Sequence, residues 1–168
     1  METEALKPQD VVVALKLACV PQWNYQGLQA ALRMSSSTIH EAVRRLSRAR
    51  LFNPQRRRVV RADLIEFLEH GVRFAFPVVL GAPVLGVPTA SSAEPLRHRL
   101  LSGDERTCVW PSKVGSVRGR SVVPLHPGVP EAVRDDPKLH RLLAIVDALR
   151  VGDARERELA AEELRKEL

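Results

Sequence analysis

The fold of this chain is decided by residues 25–50, which read YQGLQAALRMSSSTIHEAVRRLSRAR. In the first half the apolar residues lie three and four positions apart, which predicts a helix with one buried side. Ser35 offers a natural N-cap for a second helix. That helix is predicted over residues 36–49, and its apolar stripe consists of Ile39, Ala42, Val43 and Leu46. The stretch therefore predicts a helix, a tight turn and a second helix.

The side of the second helix opposite its apolar stripe carries hydrogen-bonding and cationic side chains. At about 100° per residue, the outward row consists of Ser37, Glu41, Arg44 and Arg48, with His40 and Arg45 flanking it. Such a helix suits the major groove of DNA, where polar groups near its N-terminal half meet base edges and guanidinium groups meet guanines or phosphates. The alternative is a helical hairpin of any small domain, with an arginine-rich helix that is merely solvated.

The family resemblance of this stretch is carried by Tyr25-Gln26, Leu28, Ala31-Leu32, Met34-Ser35, Ser37-Thr38-Ile39, Val43, Leu46 and Leu51-Phe52. With these residues the chain resembles winged-helix regulators of the MarR type. Their usual run is a tyrosine or threonine, an E/QLAxxL helix, a short turn, and S-xST-xxRxVxxL before an apolar pair. Arg50 stands where that family often has glycine. The resemblance implies a winged helix-turn-helix DNA-binding domain over residues 1–71.

A short hairpin, or wing, is predicted over residues 53–60. Brief strands are expected at 51–52 and 58–60, on either side of the turn at 53–57. Its three consecutive arginines are placed to grip phosphates or to enter a minor groove. The predicted DNA-binding residues are thus Ser36, Ser37, Thr38, His40, Glu41, Arg44, Arg45, Arg48, Arg56, Arg57 and Arg58. Base contacts are expected from residues 37–44 of this set, and phosphate contacts mainly from the other arginines. Glu41 either accepts from a cytosine amino group or orients Arg45 one turn on; we favour the second.

The positive charge of the chain is concentrated in its first third. Residues 1–61 contain 11 Lys and Arg against 4 Asp and Glu, whereas residues 62–168 contain 15 against 16. Because each neutralised phosphate releases counterions, this asymmetry indicates a polyanion partner for the first third. A basic face that serves solubility alone is the alternative.

Several features predict a cytoplasmic protein without a membrane span. Every apolar run of about 18 residues, the length needed to cross a bilayer, contains a charge or a proline. The N-terminus METEALKPQD is acidic and polar, where a secretory signal would be basic and then apolar. Cys19 and Cys108 lie far apart with no CxxC or Cys/His spacing, so both are expected to be reduced thiols.

The rest of the chain, residues 72–168, is predicted to be a C-terminal extension or interaction region. Eight of the twelve prolines lie within residues 77–130, so residues 72–130 are expected to be irregular, with strands at 84–87, 107–110 and 120–125 and a brief helix at 95–101. Phe74 and Phe76 alternate as in a short strand or extended arm.

Residues 131–168 are expected to be helical, with a helix from Pro137 to the stop at Gly152 and a polar last helix beyond it. That last helix either pairs with a partner or is solvated. With a helix at 8–20 and another at 62–70, the fold class is α+β, mainly α.

No enzyme, metal site or cofactor is predicted. The five histidines belong to no metal motif, GAPVLGVP lacks the lysine of a P-loop, and the adjacent Asp135 and Asp136 point apart. The function expected is a sequence-specific regulator, most simply a repressor, that binds double-stranded DNA as a homodimer. The alternative is a protein-interaction module, such as the antitoxin or autorepressor of a bacterial toxin-antitoxin or phage-defence operon, in which residues 72–168 bind a partner protein.

Overall fold

The structure is a computed structural model that describes residues 4–100 and 106–168. Within these two ranges the helices are α1 (Pro8–Cys19), α2 (Tyr25–Leu32), α3 (Ser36–Arg48), α4 (Arg61–His70), α5 (Val72–Ala75), α6 (Val129–Ala132), α7 (Pro137–Val151) and α8 (Ala154–Glu167). The strands are β1 (Phe52–Asn53), β2 (Arg58–Val59), β3 (Pro83–Pro88), β4 (Cys108–Pro111) and β5 (Val117–Ser121). The predicted class, α+β and mainly α, is confirmed.

Local capping residues set the ends of α2 and α3. The Asn24 side chain accepts a hydrogen bond from the Gly27 N–H at 2.7 Å, and the Ser35 hydroxyl accepts from the Thr38 N–H at 3.2 Å. Each cap satisfies one of the N–H groups that have no partner within the helix. Arg33, directly after α2, has a left-handed φ of 55°, which turns the chain toward the start of α3.

The end of α3 has the geometry that glycine commonly supplies. Arg50 has a φ of 62°, and the Leu51 N–H donates to the Leu46 carbonyl at 2.9 Å. This is a left-handed helix stop in which an arginine takes the place of the usual glycine, at some conformational cost. The chain then forms the antiparallel hairpin of β1 and β2, in which Phe52 lies opposite Val59.

The three longer strands form a small closed sheet. Strand β3 pairs antiparallel with both β4 and β5, and β4 pairs in parallel with β5. The strands approach closely at Gly86, where an added Cβ would lie 2.0 Å from the Trp110 carbonyl oxygen. All three strands fall near predicted ones, but the last ends at Ser121, earlier than the predicted residue 125.

Two predictions for residues 72–101 are wrong. The predicted strand or arm around Phe74 is the short helix α5, in which the N–H groups of Phe74 and Ala75 donate to the Gly71 carbonyl. Phe76 then packs edge-on against Phe67, with ring centroids 6.4 Å apart. The predicted helix at 95–101 is a set of hydrogen-bonded turns over residues 94–99, and residue 101 lies outside the described ranges.

Helix α7 forms the centre of the fold. Every residue from 142 to 149 is buried, because α1, α5, α8 and the closed sheet surround this helix. The carboxylate of Asp147 accepts hydrogen bonds from Thr89 at 2.7 Å, Trp110 at 2.6 Å and Arg150 at 2.8 Å. Burial raises the pKa of Asp147, and these three donors oppose that rise. They also tie α7 to the sheet.

The N-terminal and C-terminal regions share one hydrophobic core. The buried cluster runs from Val11 in α1 to Leu164 in α8, so it crosses the predicted boundary at residue 71. The last helix packs on the chain itself: Ala160 and Leu164 are buried, and Arg165 pairs with Glu69 of α4 at 2.6 Å. Over the ranges described, none of the helices combines the length and the apolar character needed to cross a membrane.

Candidate nucleic-acid interface

Helix α3 separates its apolar and polar residues cleanly. Its stripe of Ile39, Ala42, Val43 and Leu46 is buried against the core. Ten of the eleven predicted DNA-binding residues are at least partly exposed: Ser36, Ser37, Thr38, His40, Glu41, Arg44, Arg48, Arg56, Arg57 and Arg58. The exposed face of α3 and the hairpin tip together are called the basic face below.

Hydroxyl groups cluster at the N-terminus of α3. The Ser35 oxygen lies 3.1 Å from the Ser37 oxygen and 2.8 Å from the Thr38 oxygen. Ser36 begins the helix and is exposed. Because the first N–H groups and the positive end of the helix dipole are also here, this end can donate to an anionic or carbonyl oxygen.

Two arginines of α3 converge on one carboxylate. Arg44 lies 2.8 Å from one Glu4 oxygen and 2.9 Å from the other, and Arg48 lies 3.5 Å from the second oxygen. The Arg44 and Arg48 side chains are 53% and 59% exposed, so both can reach another anion. The hydrogen bond from Arg44 lowers the pKa of Glu4, which keeps its carboxylate charged. No pattern in the sequence indicates this contact.

The prediction that Arg45 contacts a DNA phosphate is wrong. Its side chain is 0% exposed and makes two hydrogen bonds of 2.8 Å to Asp10 of α1. Since α1 covers this flank of α3, the guanidinium serves to hold the two helices together. Glu41, one turn earlier, lies 3.5 Å from Arg45, which fits the favoured orienting role for that carboxylate.

The tip of the hairpin is held by local contacts. The Asn53 side chain accepts from the Arg56 N–H at 2.9 Å, and Arg57 takes a left-handed φ of 52°. The Trp23 indole N–H donates to the Arg57 carbonyl at 3.0 Å, while the Arg57 guanidinium lies 4.3 Å from the centre of the indole ring. A cation over an aromatic face is stabilised, so the tip is fixed relative to the loop before α2.

A row of aromatic rings links the hairpin to α3. Trp23 meets Tyr25 edge-on at 5.3 Å, and Tyr25 stacks on His40 at 3.7 Å. His40 is therefore held by Tyr25 at the edge of the basic face, and the hairpin and α3 are positioned by the same aromatic residues. The sequence does not indicate this row, since the partners lie in separate elements.

The chain was compared with protein-family models, with characterised proteins and with solved structures, and none of them matched. No group of three or more His, Cys, Asp or Glu residues suited to a metal ion occurs within residues 4–100 and 106–168.

Proposed function

We propose that this chain is a sequence-specific regulator of transcription that binds double-stranded DNA, most simply as a repressor. The observation that carries the proposal is the convergence of Arg44 and Arg48 on the Glu4 carboxylate. A carboxylate and a phosphate both offer anionic oxygens to a guanidinium. The same two side chains thus suit a DNA phosphate or the acceptor edge of a guanine.

In this proposal α3 is the recognition helix and lies in the major groove. Ser37 and Glu41 precede Arg44 along its exposed face, so hydrogen-bonding groups for base edges come first and the cations follow. The order of α1, α2, α3, β1 and β2 supports a winged helix-turn-helix of the MarR type. The three arginines of residues 56–58 then contact phosphates beside the groove.

The DNA must displace Glu4 to use this surface. The Glu4 carboxylate is paired with the Arg44 guanidinium, which would otherwise bind the DNA. Salt screens this ion pair as it screens the contact with DNA. The acidic residue therefore competes with the duplex and reduces binding to polyanions that lack the right base sequence.

A second copy of the chain completes the proposed DNA complex. Regulators of this kind act most simply as homodimers on a palindrome, with half-sites about 10 base pairs apart so that two recognition helices enter successive major grooves.

Fluorescence anisotropy tests the proposal directly. The protein is titrated against a labelled duplex from upstream of its own gene and against a scrambled duplex of equal length, over a range of salt. A specific regulator should prefer the native duplex by about 10³-fold or more. Equal binding to both duplexes contradicts sequence specificity, and no binding to either contradicts the DNA-binding function altogether.

A protein-interaction module is the second candidate function, favoured by an exposed apolar surface. Phe74, Val79 and Val123 are 68%, 87% and 66% exposed. Arg150 donates to the carbonyls of both Phe76 and Val123, which brings the two segments that carry these side chains together. Contiguous exposed apolar surface is typical of protein contacts, as an antitoxin or autorepressor would need. Purification from the native host as a lone chain would contradict this candidate.

A further inference from the structure

A cleft beside the hairpin gathers cations from distant parts of the sequence. Its volume is about 340 Å³, and its cationic lining consists of Arg57, Arg58, Arg61 and Lys138. Ala18 and Cys19 are among its uncharged lining residues. No carboxylate of the described residues lines it. We call it the cationic cleft. Arg57 and Arg58 belong to both the hairpin and the cleft, so the cleft continues the basic face.

Lys138 is the residue of this group that the sequence did not point to. It is the second residue of α7 and is exposed. A cation in the first turn of a 15-residue helix is opposed by the helix dipole. In the part of the chain that the structure describes, no carboxylate lies within 4.0 Å of its amino group. The helix dipole of α7 therefore does not stabilise Lys138, and the charge of this side chain is available to a ligand.

Two other cations of the cleft are already held in place. Arg61 donates to the Ala18 carbonyl at 2.8 Å and also to the Leu168 carbonyl, and Arg57 lies against Trp23. Side chains that are ordered before binding lose less conformational entropy when a ligand arrives. The cleft is thus partly preorganised for an anion.

Charged residues in and beside the cleft act on the Cys19 thiol. Burial raises the pKa of this thiol and Asp136 adds to the rise, while Lys138, Lys16 and Arg61 act to lower it. Cys19 is half-buried in the cleft, whereas Cys108 is buried elsewhere. The thiol of Cys19 can therefore report whether the cleft is occupied.

We propose that the cationic cleft binds a backbone phosphate of the DNA duplex, so that the interface extends past the hairpin onto α7. This inference rests on the proposed DNA-binding function. A phosphate group fits a cavity lined by several cations and no carboxylate. A backbone phosphate is preferred to a free phosphate compound because the hairpin that supplies Arg57 and Arg58 is itself the proposed phosphate contact.

The first test is the salt dependence of duplex binding by Lys138→Gln. Loss of one phosphate contact should lower the slope of log Kobs against log salt by roughly one unit. The ratio of wild-type to variant affinity should then fall about 3.5-fold between 50 and 200 mM salt. Lys113→Gln is the matched control, since Lys113 is exposed in the turn after β4 and does not line the cleft. Its slope should equal that of the wild type.

The second test is the rate at which a thiol reagent modifies Cys19 in the native protein. Cys108→Ala serves as the background, so that Cys19 is the thiol that reacts. Saturating duplex should slow the modification several-fold, whereas chloride at equal ionic strength should not. Inorganic phosphate is tested in parallel.

The outcomes separate the inference from the function on which it rests. If the wild type binds no duplex, the proposed function fails and the inference fails with it. If the wild type binds and Lys138→Gln keeps the full slope, or Cys19 stays unprotected by duplex, the inference alone is overturned. Protection by inorganic phosphate without protection by duplex also overturns it and assigns the cleft to small phosphate compounds. Thermal unfolding of Lys138→Gln at or slightly above the wild-type midpoint shows that the fold is intact.

Discussion

The buried pair of Arg45 and Asp10 should be the most sensitive polar contact of the proposed DNA-binding region. We expect Arg45→Met to lower the free energy of unfolding by about 3–5 kcal/mol, the usual loss when one partner of a buried ion pair is removed. Methionine fills most of the space of the arginine stem, so little of this loss comes from a cavity.

The geometry sets the size of the effect. Both side chains are 0% exposed, and two hydrogen bonds of 2.8 Å join them. A hydrogen bond to a charged group contributes about 1.5–3 kcal/mol net, and the variant leaves the Asp10 carboxylate buried without its cation. The Lys7 N–H still donates to that carboxylate at 2.8 Å, which places the expected loss toward 3 kcal/mol.

Equilibrium unfolding in urea at pH 7, followed by circular dichroism, measures this loss. Arg48→Met is the matched control on the same helix, because that side chain is 59% exposed; its effect should stay within about 0.5 kcal/mol. The double variant Asp10→Leu/Arg45→Met should recover most of the stability, since apolar residues often replace a buried pair without loss.

A loss below about 1 kcal/mol in Arg45→Met would refute this reasoning. DNA binding gives a second check at temperatures where the variant is folded. Because Arg45 is covered by α1, its removal should leave the salt slope of duplex binding unchanged. A slope lower by about one unit would mean that Arg45 contacts a phosphate in the complex.

Five other substitutions have defined outcomes. Glu4→Gln should tighten duplex binding at low salt, because the carboxylate that competes for Arg44 is gone; unchanged affinity contradicts the competition. Arg44→Ala should reduce discrimination between native and scrambled duplex by about 1–3 kcal/mol, whereas Arg57→Ala should weaken both equally and lower the salt slope by about one. Arg50→Gly should raise the free energy of unfolding by about 0.5 kcal/mol, since relief of the left-handed strain exceeds the added entropy of the unfolded chain; urea unfolding checks this. Burial raises the pKa of the Cys108 thiol to about 11, so the folded state binds its proton more tightly than the unfolded state. Stability should therefore fall from about pH 9 to 11, and in Cys108→Ala this part of the fall should be missing.

The regular elements of the N-terminal region could be predicted because their signals are local. The N-caps Asn24 and Ser35 and the apolar stripe of α3 act within one helix, and the bounds of α3 follow from them. The same holds for α7, which begins at Pro137 after its cap Asp136. The sequence around Phe74 predicts a strand or arm where the structure has the helix α5. An alternating pair of aromatic residues fits both a strand and a single helical turn.

The proposed interface was predictable as a face but not residue by residue. Arg44 and Arg45 are adjacent and chemically identical, and their roles differ because α1 covers one of them. Glu4 and Lys138 lie far along the chain from the residues they adjoin, and no periodicity connects them.

The class of fold, the position of α3 and the concentration of positive charge in the first third can all be read from the sequence. They follow from helix periodicity, capping and composition, which act over a few residues at a time. Tertiary packing is what pairs Arg45 with Asp10, places Glu4 on Arg44 and brings Lys138 to the hairpin arginines around one cleft. Burial and charge pairing depend on which distant elements pack together, and that packing is set by the shared hydrophobic core around α7.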